Sequence, residues 1–157
     1  MKSRNKFFAI ALLSVALVGC SVNTFILLTD AIVTAAEGVL AVYPNVPPQV
    51  STYLSGSATI VENLVACGKT PVCISTAVTQ LGALVAPNIS DPKLAALVGV
   101  VTKAVQDFIK AFAAPTTARM NPKGVELSNG DKAKLYDIGT RATALKAKLK
   151  NGSAEKR

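Results

Sequence analysis

Pro44-Asn45-Val46-Pro47-Pro48 stands directly before a stretch, 49–66, in which Val50, Leu54, Ser57 with Ala58, Val61, and Leu64 with Val65 recur at steps of three and four. That spacing draws one apolar stripe along a helix of 3.6 residues per turn. Proline fixes φ and lacks the N–H that an inner helical turn needs, so residues 44–48 end the helix before them and make a stiff connector to the next. Working outward, the same rhythm of apolar segment and break repeats. Asn23 or Thr24 caps a first helix that runs to about Val42. Gly68 follows the second helix where a left-handed residue is favoured. Thr70-Pro71 opens a third helix, which ends before Pro87, and Ser90-Asp91-Pro92 opens a fourth, with Ser90 read as its cap, to about Ala113. On that helix Lys103, Asp107 and Lys110 share a face and can pair. Ser128-x-x-Asp131 resembles a capping box for a fifth helix, ending near Lys150. The segments run to roughly 14–23 residues and are rich in alanine, which favours helix over strand. The expected fold is all-α, an irregular bundle of four to five helices.

The chain divides by composition as well. Residues 20–114 form the helical core domain, and 115–127, with two prolines, a glycine and no apolar rhythm, form a linker. Residues 128–150 form a basic amphipathic helix on or beside the core, and 151–157 are a polar tail expected to be disordered. The charge is uneven. Residues 20–118 hold four lysines against five acids, whereas 119–157 hold ten basic residues against four acids. A basic end on a nearly neutral body suits an anionic surface.

Ahead of residue 20 the pattern changes. Lys2, Arg4 and Lys6 come without an acid, residues 7–18 are almost wholly apolar, and Leu17-Val18-Gly19-Cys20 closes the run. A cationic start, a short apolar stretch and a small residue before the cut are the parts of an export signal. Twelve apolar residues are too few to span a bilayer, which takes about 20. With the cysteine at the cut, residues 1–19 resemble a bacterial lipoprotein signal peptide. The resemblance implies cleavage before Cys20 and lipidation of that cysteine by diacylglyceryl and fatty acyl (palmitate-type) chains. It implies a membrane partner through the N-terminal lipid and a cell-envelope location. Ser21, next to the lipidated cysteine, implies the outer membrane, facing the periplasm, if the source has two membranes. Each buried methylene adds about 0.8 kcal/mol, and two or more chains hold a protein stably on a bilayer.

With Cys20 taken by lipid, Cys67 and Cys73 remain as an even pair in an oxidising compartment. A disulfide there pins the corner between the second and third helices; two free buried thiols are the alternative reading. There is no histidine, which removes the commonest general base and every histidine-containing triad. Gly68-Lys69-Thr70 lacks the upstream glycine of a phosphate-binding loop, since position 63 is Asn63. Ser90-x-x-Lys93 lacks the companion elements of a serine–lysine enzyme. No catalytic residues, metal ligands or cofactor emerge, and nucleic acid is not an expected partner of an exported chain.

Two side-chain sets stand out. Asp30 and Glu37 make a narrow polar strip on the apolar first helix, about 10 Å apart along the axis and too far to share one ion. They read as a solvated side or as a partner strip for lysines elsewhere in the chain. On the fifth helix, Leu135, Ile138, Ala142, Leu145 and Leu149 form an apolar stripe. Lys132, Lys146 and Lys150 flank it on one side, and Lys134, Arg141 and Lys148 on the other. Basic residues beside an apolar stripe suit an anionic lipid surface or an envelope protein partner, or serve as a solvated face. The expected function is that of a lipid-anchored envelope protein with a non-enzymatic binding or structural role; the alternative is a membrane-active helical protein of the lysis or pore type.

Overall fold

The computed structural model describes residues 22–68, 70–113 and 127–154, with 153 and 154 in backbone only. Five helices follow one another: α1 (Val22–Val42), α2 (Pro48–Cys67), α3 (Pro71–Ala83), α4 (Pro92–Phe112) and α5 (Asn129–Ala154). The described residues contain no strand. The fold is an all-α bundle of five helices. Cys20 and the linker over 115–126 lie outside the described residues.

Several helix ends are set by local chemistry. Pro48, Pro71 and Pro92 sit in first turns, where a missing N–H costs nothing. The Thr70 side chain accepts from the Cys73 N–H at 3.3 Å. Before α4 the cap is Asp91 and not Ser90: the Asp91 carboxylate accepts from the N–H groups of Lys93 and Leu94 at 2.9 and 3.1 Å. A carboxylate next to the proline reaches two orphan donors at once and adds favourable charge at the positive helix end. Gly68 has φ of 77° and donates its N–H to the Leu64 carbonyl at 3.0 Å. At Ser128 the hydroxyl accepts from the Asp131 N–H at 3.1 Å and donates to the Asp131 carboxylate at 2.7 Å.

The directions of the helices follow from named contacts. Phe25 near the start of α1 meets Phe108 and Phe112 near the end of α4, with ring centroids 6.4 and 6.1 Å away. At the opposite end Tyr43, just past α1, donates its hydroxyl to Asp91 at 3.2 Å. So α1 and α4 run antiparallel. By contrast α1 and α5 run parallel: Asn23 and Ile26 share a groove with Ala133 and Lys134, whereas Gly152 faces the Pro44 carbonyl. Then α2 runs back against α5. Gly139 lies so close to α2 that a Cβ there would stand 3.2 Å from Val65 Cγ1, which is why a bare backbone serves at this crossing. The short α3 packs between α2 and α4.

The core joins all five helices. Phe25, Ile32, Val39, Leu54, Val61, Ile74, Leu81, Val101 and Phe108 are among its buried members. The α5 stripe of Leu135, Ile138, Ala142, Leu145 and Leu149 is buried in full. Two buried hydroxyls, Thr29 and Ser57, donate to the carbonyls four residues back, Phe25 at 2.6 Å and Tyr53 at 3.0 Å. Neither is left unsatisfied, which is the condition for a polar group to sit in a core.

One boundary needs correcting. The expected disordered tail began at residue 151, but α5 continues as helix to Ala154. Leu149 is buried, and Asn151 and Gly152 line a small cleft with Leu40, Pro44 and Asn45. Pro44 and Asn45 therefore lie against an extra helical turn that the polar residues from 151 onward did not suggest.

Candidate functional site

By length and composition α1 is the one described helix able to cross a membrane. In the bundle one apolar face of α1 is buried, Leu27 and Val42 stay exposed, and a polar strip runs beside them. Asp30, Thr34 and Glu37 lie at i, i+4 and i+7, so they form one line, and Arg141 of α5 lies over that line. Its Nη1 donates to Asp30 at 2.6 Å, and its Nη2 donates to Thr34 at 2.9 Å. Nε and Nη2 together donate to the two Glu37 carboxylate oxygens, at 3.1 and 2.5 Å. The Thr34 hydroxyl completes the set by donating to Asp30 at 3.4 Å. Asp137, one turn back on α5, stands 3.9 Å from Nη1. A planar fork with five donors is the side chain that can serve three acceptors in a row. The Glu37 hydrogen bonds outweigh partial burial, and with those of Asp30 they raise the Arg141 pKa above its already high ordinary value.

A second cross-link holds the other flank of α5. Lys146 Nζ and the Thr143 hydroxyl both donate to Glu62 of α2, at 2.5 and 2.6 Å. Partial burial alone would raise the Glu62 pKa. The Lys146 and Thr143 hydrogen bonds and the Lys146 charge outweigh it, and hold the carboxyl below its ordinary range.

These contacts divide the basic residues of α5. Arg141 and Lys146 face acids of the bundle itself. Lys132, Lys134, Lys148 and Lys150 are exposed. The two cross-linked cations span from residue 141 to Asp30 and from 146 to Glu62. Separations of 111 and 84 residues leave no trace in local spacing, although each partner was visible as a polar residue on an apolar helix.

At the α2–α3 corner the sulfurs of Cys67 and Cys73 lie at bonding distance, with Cα atoms 6.1 Å apart, inside the usual disulfide range. On α4, Lys103 and Asp107 form the expected pair at 2.6 Å. Two open grooves flank α5. One, of about 770 Å³, lies between the starts of α1 and α5 and includes Leu27, Asp30, Lys134 and Arg141. The other, of about 930 Å³, lies between α2, α3 and α5 and is lined by Ser51, Ser55, Thr59, Gln80, Leu84 and Lys150, among others. No group of three or more metal-ligating side chains occurs among the described residues.

Comparison with protein-family models, curated proteins and solved structures finds no match for this chain.

Proposed function

We propose that the chain is a lipid-anchored cell-envelope protein that works by binding or structural association and not by catalysis. The observation that carries this reading is Leu17-Val18-Gly19-Cys20 behind a cationic, apolar leader, with a helical bundle beginning at Val22. The side chains most suited to acid–base or redox work support it from the other direction. Asp30 Oδ1 and both Glu37 carboxylate oxygens are engaged by Arg141, and Cys67 and Cys73 lie at bonding distance from each other. In a source with two membranes, Ser21 favours the outer membrane, facing the periplasm.

The test is expression of the precursor in a bacterial host, followed by intact mass and detergent partitioning. The mature chain is expected to begin at Cys20, to carry acyl mass and to enter the detergent phase; the Cys20→Ala variant should stay uncut and unacylated. A Cys20→Ala chain that is cut and partitions like its parent sinks the reading. Dye release from liposomes at the concentrations that give anchoring would favour the lysis or pore alternative, which draws on the spanning length of α1.

A further inference from the structure

We infer that the anchored bundle stands on end at the membrane, with Lys110, Lys132 and Lys134 against anionic lipid headgroups and Lys148 and Lys150 held away from them. The inference rests on lipidation at Cys20.

Two peptide units separate Cys20 from Val22, so their Cα atoms are at most about 7.6 Å apart. The lipid therefore fixes the Val22 end of α1 next to the bilayer. The packing determines what else is at that end. The antiparallel α4 brings its last turn there, with Phe108 and Phe112 around Phe25 and the exposed Lys110 between them in sequence. The parallel α5 brings its first turns there, with exposed Lys132 and Lys134. The only acid of α5's first turn, Asp131, is held by the Ser128 hydroxyl. The same end exposes apolar surface: Leu27 is 67% exposed and Tyr136 is 77% exposed. Lysines beside an open leucine and a tyrosine are the residue types that settle at headgroup level.

The far end cannot take part. At 1.5 Å per residue, Lys150 is about 27 Å along the helix from Lys132. Exposed charges are screened over about 8 Å at physiological ionic strength. Arg141 and Lys146, between the two pairs, are engaged with Asp30, Glu37 and Glu62. A helix lying flat on the surface would use all six basic residues, whereas the bundle standing on end brings only Lys132 and Lys134 of α5 to the headgroups.

Lysine footprinting tests the orientation with native side chains. The acylated mature protein is added to preformed vesicles of phosphatidylcholine and phosphatidylglycerol, and an amine-reactive, membrane-impermeant reagent is read by peptide mass. The comparison is the Cys20→Ala chain expressed without its signal, free in solution. Lys110, Lys132 and Lys134 are expected to label at least about threefold more slowly on vesicles, while Lys148 and Lys150 are unchanged, as a Debye length of about 8 Å requires. Equal labelling of the two sets, or protection of Lys148 and Lys150, overturns the orientation. Flotation of the same vesicles separates this from the anchor itself. A chain that floats but labels evenly refutes the orientation alone, whereas an acylated chain that fails to float overturns both.

Discussion

Arg141 joins two helices through a single side chain. Its donors reach Asp30, Thr34 and Glu37, and only about 29% of the side chain is exposed. A lysine at 141 would keep the charge but offer a point donor in place of a fork, so it cannot reach three acceptors in a row. Arg141→Lys is therefore expected to lose about 1–2 kcal/mol, the range of one or two charge-assisted hydrogen bonds in a partly solvated setting. Arg141→Met, which strands both acids, should lose more. Urea denaturation followed by circular dichroism measures this, and a midpoint unchanged in Arg141→Lys would refute the fork's role. Much of this site was legible in sequence: Asp30 and Glu37 stood out on an apolar helix, and Arg141 on the flank of the α5 stripe. Their pairing was not, because local periodicity carries no information about which faces meet across 104 residues.

The helices and their ends were the most readable level. Pro48, Thr70-Pro71, Gly68 and Ser128-x-x-Asp131 each act through contacts within a few residues, so the sequence alone exposes them. Three points escaped it. α1 begins at Val22, so Asn23 and Thr24, expected as its cap, lie inside the helix. Asp91 took the cap expected of Ser90, and α5 gained its last turn from a tertiary contact with residues 44–45. The Cys67–Cys73 corner belongs to this scale. Closing so short a loop removes little unfolded-state entropy, so the double serine variant should lose about 2 kcal/mol in the loop-entropy model and keep its helical circular dichroism. Gly68 and the Thr70 cap still hold the corner when the link is absent. Alkylation of unreduced mature protein at two thiols would show that the link does not form.

At the scale of the whole molecule, stability should depend on acid. The N–H of Leu94 lowers the Asp91 pKa first, helped by the Lys93 N–H and the Tyr43 hydroxyl. Glu62 is also lowered, its Lys146 and Thr143 contacts outweighing burial. Both carboxyls thus ionise more readily folded than unfolded. Their contribution is complete above the ordinary carboxyl range and is lost as pH falls through their lowered folded values. Urea midpoints are expected to be level from pH 7 to 5 and to fall towards pH 3. Glu62→Gln should lower the plateau and flatten that fall; an unchanged slope would remove Glu62 from the account.

The fork at Arg141 also imposes an order in time. Its acceptors lie at the start of the folded chain and its donors near the end, 104 to 111 residues later. A chain made at roughly 5–20 residues per second leaves Asp30 and Glu37 without their partner for roughly 5–20 s. Until then α1 carries two open charges and lacks the cover that α5 gives it, while α4 already has the partners for Phe25 in Phe108 and Phe112. The packing of α1 to α4 on one another precedes this ion-paired seam, which only the last helix completes. For a chain exported as proposed, the clasp between α1 and α5 is the last of these contacts to become available.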